Sequence, residues 1–316
     1  MTGKFNIDGV DAYGQFGVFI SDSGLAKLLQ YPPLKKVDSN DWPEEDGEEV
    51  DLSEPALDVK TVQVKFASHK ANRFDAFIAA MSNTGYHDFE VPAIARTFRL
   101  RLFSQQSMTH YSRAEEFMLQ FVDDFPLIGY SYVAPETSMM RVSGYELDGR
   151  DLGQYGVVIL EGSLSEVLKS PEVKQNLLQN LQRENGAVYD GAYVVFKSKD
   201  VKLKCSLRAR TFDEFWRNYS ALLYDLTRPN ERTLFVEYTG FEYPCYYKNC
   251  TSSKFLFTKG KIWWEFDLTL VFTSFRVEGD LYFLSSEADE WVITEDGDFA
   301  IDLTETKELQ DGYQED

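Results

Sequence analysis

The chain of 316 residues has few of the side chains that build covalent or metal-bound sites. It contains 3 cysteines, an odd number that is too small for a disulfide framework. Only Cys245 and Cys250 are close in sequence, and the 3 histidines lie far from them, so zinc-site spacing is absent. We expect three buried, neutral thiols including Cys205, and we predict no metal site and no cofactor.

Long apolar runs are also missing. No stretch reaches the roughly 18 residues that a membrane-spanning helix needs. The N-terminal segment MTGKFNIDG lacks the apolar core of a signal peptide. We therefore expect no membrane partner and a chain that is made in the cytoplasm.

Positive charge is scarce, with 32 Lys and Arg against 52 Asp and Glu, so the formal net charge is −20. Proteins that hold nucleic acid neutralise its phosphates with Lys and Arg, which makes a nucleic-acid binder a poor match. A negative wall beside DNA would have the opposite effect, because it would let the DNA slide past without sticking.

Motifs of catalysis are missing as well. The glycine-rich segments DGVDAYGQFG and DGRDLGQYG have neither P-loop nor dinucleotide-binding spacing, so Gly9 and Gly149 are interpreted as tight Asp-Gly turns. The acidic segment EEDGEEVD at 44–51 lacks EF-hand spacing and is interpreted as a solvated loop. With so many carboxylates, any chosen acid pair carries little weight. We predict no catalytic residue and no enzyme.

What the sequence does contain is a repeat. Gly14-Gln15-Phe16-Gly17-Val18 matches Gly153-Gln154-Tyr155-Gly156-Val157 at an offset of 139 residues, and residues 14–35 share 9 identities in 22 positions with residues 153–174. The ungapped register continues through the pairs Lys60 and Lys199, Val62 and Val201, and Lys65 and Lys204. A long period of this kind predicts two similar domains and not a solenoid.

Each copy contains the pattern of one clear helix and of several strands. Four apolar residues share one face in RFDAFIAAMSN, and four in TFDEFWRNYSALLYDL, where Thr211 and Glu214 have the spacing of a capping box. The closing segments alternate as strands with one buried face do. The helix faces are Phe74, Phe77, Ile78, Met81 and Phe212, Phe215, Tyr219, Leu222; the strand faces are Phe117, Leu119, Phe121 and Phe266, Leu268, Leu270, Phe272.

These patterns predict a mainly β fold with α (α+β): two tandem β-barrel or sandwich domains, each with one packed helix. The predicted domains are residues 1–138 and 139–277, followed by an acidic C-terminal hairpin and tail at 278–316. The hairpin turn is placed at Asp296-Gly297. Short helical turns are expected in GLAKLLQYP and GSLSEVLKSP, and an extended or loop segment after each.

The order of these features resembles a known family. The series LDGRDLGQYGVVI, SPEVK, ENGAVYDGAYVVFKSKDVKLKCSLRA, TFDEFWRNYSALLYDL, RTLFVEYTGFEYPCYYKN and FDLTLVF is similar to the tail-tube-like β domain of distal tail and baseplate hub proteins of tailed bacteriophages and prophages. The resemblance covers residues 5 to about 275, and the first copy matches it more loosely. It implies ring-forming proteins at the tip of the tail tube, through which DNA passes.

The resemblance therefore implies a structural, non-enzymatic component of the virion tail. Its expected partners are further copies of itself in a trimeric or hexameric ring, the tail tube and the tail-tip or fibre proteins, with DNA as transiting cargo. Two rival functions remain open at this stage. One is a carbohydrate-binding β module that uses exposed aromatic rings such as Trp263, Trp264 or Trp291, and the other is a hydrolase with an unrecognised acid pair.

Overall fold

A computed structural model describes residues 3–21, 24–69, 74–83, 85–139, 142–174, 185–186 and 194–274. Residues 1–275 cluster as one compact unit. The predicted division at residue 138 stays a prediction. The predicted hairpin at Asp296-Gly297 and most of the segment after Lys174 lie outside the described residues.

The described elements follow the order expected for two copies of one pattern. The helices are α1 Ala12–Phe16, α2 Gly24–Leu28, α3 Phe74–Met81, α4 Ser163–Leu168 and α5 Phe212–Leu226, with 3-10 turns at Pro92–Ile94 and Leu152–Tyr155. The first nine strands are β1 Asn6–Ile7, β2 Val10–Asp11, β3 Val18–Ile20, β4 Asp38–Asn40, β5 Glu49–Asp51, β6 Lys60–Ser68, β7 His87–Val91, β8 Arg96–His110 and β9 Glu115–Asp123. The others are β10 Tyr145–Leu147, β11 Arg150–Asp151, β12 Val157–Ile159, β13 Lys199–Ala209, β14 Arg232–Val236, β15 Phe241–Thr258 and β16 Lys261–Phe272.

Two sheets of seven antiparallel strands form the frame. Their strand orders are β2-β1-β7-β8-β9-β6-β3 and β11-β10-β14-β15-β16-β13-β12, which is the same order in equivalent strands. In each sheet one long strand, β8 or β15, pairs first with the preceding strand and then with the following one. The prediction of a mainly β, α+β fold with two sandwich-like bodies is confirmed. We call them the first body (residues 3–123) and the second body (residues 142–274).

The 139-residue offset of the sequence recurs in the backbone pairing. Val18 faces Ser68 in the first body, and Val157 faces Leu207 in the second. Isolated bridges outside the strands follow the same offset, since Leu34 pairs with Leu57, and Val173 with Phe196. Equal pairing at such distant points is the arrangement that an internal duplication produces.

The two predicted Asp-Gly turns are present. Asp8 and Gly9 have φ values of 51° and 79°, and Asp148 and Gly149 have 50° and 74°. Positive φ at both central residues defines the type I′ turn that joins antiparallel strands, and glycine adopts it without strain. Each aspartate also accepts a hydrogen bond from the neighbouring strand, Asp8 from Asp88 N–H at 2.8 Å and Asp148 from Thr233 N–H at 2.9 Å.

The predicted helices pack on their sheets through the predicted face, with one difference. Phe77 and Phe215 are fully buried, whereas Phe74 and Phe212, at the first turn, are only half-buried. Thr211 caps α5 by accepting a hydrogen bond from Glu214 N–H at 3.2 Å. The capping box is incomplete, because the Glu214 carboxylate accepts from Arg210 N–H instead of Thr211 N–H.

The predicted closing strands carry the aromatic core. The alternating residues of β9 and β16 that the sequence singles out are all buried. Phe66 stacks on Phe117 at 5.6 Å between ring centroids in the first body, and Trp264 stacks on Phe266 at 4.0 Å in the second. Helix α1 was not predicted, because Gly14 lowers the helix propensity of this segment. The helix is stabilised by its N-cap, where the Asp11 side chain accepts a hydrogen bond from Gly14 N–H.

Candidate interaction surfaces

Within the described residues, the side chains that were candidates from the sequence do not come together as a reactive centre. All three thiols are buried and free, and burial raises the pKa of Cys250 to about 12. Burial likewise raises the pKa values of Cys205 and Cys245, so the prediction of neutral thiols agrees with the structure. No group of three or more His, Cys, Asp or Glu side chains in this part of the chain could hold a metal ion.

The acidic segment at 44–51 is exposed at Glu44, Glu45, Glu49 and Asp51, as the interpretation of a solvated loop predicts. The middle of the segment is nevertheless held by the rest of the protein. It packs on the second body, where Gly47 N–H donates to the carbonyl of Phe196 at 2.7 Å and Glu48 N–H donates to that of Thr273 at 3.2 Å. A Cβ atom at Gly47, whose φ is +72°, would lie 1.4 Å from the Thr273 carbonyl oxygen. The glycine is therefore required by a close backbone contact and not by a metal ligand set.

Of the two tryptophans in the KIWWEF segment, one is buried and the other is partly covered by its neighbours. Trp264 is fully buried, as expected for one of two adjacent residues in a strand. Trp263 is half-buried, the Arg208 guanidinium lies 5.6 Å from its ring centroid, and its indole N–H donates to Glu265 at 3.0 Å. The third candidate, Trp291, lies outside the described residues.

One cavity of about 720 Å³ lies between the first body and the far end of β15. Its lining is largely apolar, and its only acidic side chain, Glu116, forms a 3.0 Å ion pair with Lys65. An acid-pair hydrolase needs two carboxyl groups across a cleft, and this cavity offers one. A second cavity, of about 700 Å³, is lined by Asp38, Glu49 and Asp51 between β4 and β5. The aromatic rings that line the first cavity are Phe5, Tyr13, Phe19, Tyr111, Phe255 and Phe257.

A contact surface made of hydrogen bonds and aromatic rings joins the two bodies. It is built by the segment 24–58 of the first body, which we call the first arm. The Tyr31 hydroxyl donates to the Tyr219 carbonyl at 2.7 Å, and the Tyr219 hydroxyl donates to the Leu29 carbonyl at 2.9 Å. The two rings are in contact at 4.6 Å between centroids, and burial raises both pKa values. These reciprocal bonds fix the arm against α5.

The first arm also contacts β15 of the second body. Leu34 N–H donates to the Lys248 carbonyl at 2.9 Å, and the Tyr247 hydroxyl donates to the Pro32 carbonyl at 2.7 Å. The Lys27 ammonium donates to the Ser252 carbonyl at 3.0 Å. These contacts bury the side of β15 that faces the arm.

The sequence alone does not reveal this surface. The hydrogen-bonded residues are separated by 188 positions for Tyr31 and Tyr219 and by 215 for Pro32 and Tyr247. Periodicity within one element reports which face is buried and not which partner buries it. The available signal was the unmatched aromatic residue Tyr31, whose counterpart in the second copy is Ser170.

Comparison with known proteins gives only remote likenesses, among solved structures. No family model matches the chain, and no curated protein matches it. Among solved structures, it is similar to the Dit protein of SPP1, described as a paradigm of the hub adsorption apparatus in phages that infect Gram-positive bacteria. That match has 11% identity and a TM-score of 0.32, and it covers 86% of this chain and 98% of the other. At this TM-score the likeness carries no functional inference.

None of the described helices is long and apolar enough to cross a membrane.

Proposed function

We propose that this protein is a structural, non-enzymatic component of a phage or prophage tail tip. In this role it forms a ring of the distal tail or baseplate hub, connects the tail tube to the host-recognition apparatus and lines a channel that conducts DNA. The observation that carries the proposal is the presence of two bodies of equal strand order, packed side by side in one chain.

Equal bodies that contact each other through unlike surfaces are suited to ring formation. The first arm binds α5 and β15 of the second body, so the contact joins two different regions of the fold. Head-to-tail contacts of this type close into rings when the rotation allows it.

The charge supports a role beside DNA without tight binding. A net charge of −20 repels phosphates, and this repulsion favours passage over adhesion.

Three chains would supply six bodies around an axis, so a three-fold tail tip could meet a six-fold tube without a symmetry mismatch. The competing arrangement uses six chains, with only the first body in the inner ring. We propose the trimer, because the two bodies share the strand order that six equivalent positions require. The finished ring would belong to the virion tail, after synthesis in the bacterial host.

Purified tailed particles from the bacterium that encodes the chain provide the test. We expect mass spectrometry to find the chain in the particles, and cryo-electron microscopy to place three copies at the tip of the tube. Particles that are complete and infectious without this chain would refute the tail role. Six copies around the axis would refute the trimer alone.

A carbohydrate-binding module is the second candidate, and the aromatic lining of the cavity favours it. The test is calorimetric titration of the purified chain with host cell-wall polysaccharide. Binding that is lost in Phe19→Ala and retained in Phe103→Ala, whose ring lies outside the cavity, would support this function.

A further inference from the structure

The two arms of the chain are equivalent in fold but differ in exposure. Leu29 of the first arm is 0% exposed, whereas its counterpart Leu168, at the same offset of 139 residues, is 49% exposed. Leu34 is half-buried and its counterpart Val173 is 42% exposed. We call residues 163–174 the second arm. Its apolar side chains lie at the positions that the first arm uses to contact the second body.

The surface that would receive such an arm is covered in the second body and exposed in the first. Strand β15 carries Tyr247, which the first arm covers and which is 0% exposed. Its counterpart on β8 is Leu102, because Tyr247 pairs with Leu270 as Leu102 pairs with Phe121 in the equivalent strand. Leu102 is only half-buried, and the neighbouring Phe103 is 61% exposed.

A β-bulge in each sheet shows which residues of β8 and β15 are equivalent. The register of β8 against β9 shifts between Leu102 and Ser104, and that of β15 against β16 shifts between Tyr247 and Asn249. Phe103 and Lys248 are therefore the extra residues of matching bulges. The Lys248 carbonyl accepts the hydrogen bond from Leu34 N–H of the first arm.

The glycine of the second copy that corresponds to Gly47 agrees with this comparison. Gly47 contacts the Thr273 carbonyl closely, and its counterpart Gly186 has the same left-handed conformation, with φ of +86°. Among the described residues, no atom lies within 4 Å of the Cβ position at Gly186. The second copy therefore keeps the backbone geometry of the first and lacks its close neighbour within the described part of the chain.

We propose that the second arm of one molecule binds the β8 face of the first body in a second copy of this chain, reproducing the contact between the two bodies. Val173 N–H then donates to the Phe103 carbonyl of the next copy, as Leu34 N–H donates to Lys248. Leu168 and Val173 lose their exposure against Leu102 and Phe103. This inference rests on the ring assembly of the proposed function and identifies the two surfaces that close it.

The contact between copies is weaker than the contact within a chain. Tyr31, Tyr219 and Tyr247 are replaced by Ser170, Met81 and Leu102. Two of the three hydroxyl-to-carbonyl bonds therefore lose their donor, and the third has only the shorter Ser170 side chain in its place. The intermolecular contact relies on apolar side chains and the backbone bond at Val173. Because each copy adds two bodies, a closed ring built in this way contains an even number of bodies.

Disulfide capture tests the inference on the purified full-length chain. The proposed bond from Val173 N–H to the Phe103 carbonyl brings the two residues side by side, and a disulfide spans Cα atoms about 4.4–6.8 Å apart. We compare Val173→Cys/Phe103→Cys with each single variant and with Val173→Cys/Leu256→Cys, which moves one thiol to an exposed apolar residue of β15. The three native thiols are buried and do not interfere. Thermal melts check that each variant folds.

After oxidation, we expect the double variant to form a ladder of covalent oligomers on a non-reducing gel, ending at one closed species. Each single variant should give at most dimers, and a mixture of the two single variants should give mixed dimers. The displaced pair should cross-link more slowly and without a single closed species. Disulfide formation accumulates brief encounters, so a weak contact is still captured. A double variant that gives only the dimers of the single variants, or a cross-linked monomer, overturns the inference.

The proposed tail role and the proposed contact between copies can be refuted independently of each other. If the chain is present in the tail and no ladder forms, the tail role stands and another molecule covers these surfaces. If the ladder forms and the particles lack the chain, the contact stands and the tail role is wrong.

Discussion

At the scale of single residues, two lysines at equivalent positions lie partly or fully out of the solvent: Lys60 is buried and Lys199 is half-buried. Lys60 donates to the Leu28 carbonyl and Lys199 to the Val167 carbonyl, both at 2.5 Å, at the C-terminal end of α2 and α4. Burial is the largest cause that lowers the pKa of each to about 8. The sequence aligned the two lysines but could not reveal their burial, because lysine side chains are usually exposed.

The lowered pKa of Lys60 makes stability depend on pH. Between about pH 8 and 10.5 the unfolded chain binds more protons at this residue than the folded one, so the free energy of unfolding rises with pH in that range. We expect the rise to be smaller in Lys60→Met, by up to about 3 kcal/mol over the full range. Urea melts at pH 7.5 and 9.5 would measure it, as differences between wild type and variant.

Lys254→Met is the matched control, because Lys254 is exposed and should leave the pH dependence unchanged. If wild type and Lys60→Met respond equally to pH, Lys60 is not buried as described.

At the scale of elements, α5 shows what periodicity reports and what it omits. The apolar spacing of its sequence predicted the buried face correctly at Phe215, Tyr219 and Leu222. It did not predict the contacts of the polar residues, since Glu214 and Asn218 are buried on another side of the helix. There the Glu214 carboxylate accepts from Ser138 N–H at 2.8 Å and Thr137 Oγ1–H at 3.0 Å, fixing the segment that joins the bodies.

The helix face gives a direct stability prediction. Phe215→Ala removes a fully buried ring and should lower the free energy of unfolding by about 3–5 kcal/mol. Phe212→Ala, in the same helix, removes a half-buried ring and should cost clearly less. Denaturant melts of the two variants would show it, and equal losses would mean that the face is misassigned.

The joining segment gives a second prediction for this element. Burial opposes ionisation of Glu214, but hydrogen bonds from Arg210 N–H and Ser138 N–H outweigh it and hold its pKa below the usual range. Glu214→Gln weakens these charge-assisted bonds and should cost roughly 1–3 kcal/mol. Limited proteolysis should then cut near residues 137–138 faster than in wild type, with the sites read by mass spectrometry.

Asp213→Asn is the control for the same helical turn, because Asp213 is exposed. Equal cleavage rates in Glu214→Gln and Asp213→Asn would show that Glu214 does not restrain the segment. Lowering the pH through the folded pKa of Glu214 should weaken the restraint in wild type, since a depressed carboxyl pKa stabilises only while the group is ionised.

At the scale of the whole molecule, the sequence predicted the two bodies and not the way they join. The repeat of Gly14–Val18 in Gly153–Val157 was visible because identical residues stand at one offset. The packing of Tyr31 on Tyr219 was not, because its partners are far apart in the chain and occur in one copy only. Because the two copies differ at these positions, the repeat in the sequence does not reveal the contact that joins the two bodies.

The net charge gives a prediction for assembly. Chains with a charge of −20 repel each other, and the Debye length falls from about 10 Å at 0.1 M salt to about 3 Å at 1 M. Sedimentation velocity should therefore show larger species as NaCl is raised. Val173→Asp should suppress this shift, whereas Ile128→Asp, at an exposed residue outside both surfaces, should not. Oligomers that dissociate with added salt would contradict it.

The fusion of two bodies in one chain changes the order of assembly events. The first arm meets the second body as a tethered partner, at an effective concentration in the millimolar range for short connections, whatever the concentration of protein in the cell. Half of the contacts in a ring of such chains would thus be complete as soon as each chain folds. Only the remaining, weaker contacts between chains would depend on the expression level. Encounters between chains would therefore decide whether a ring assembles.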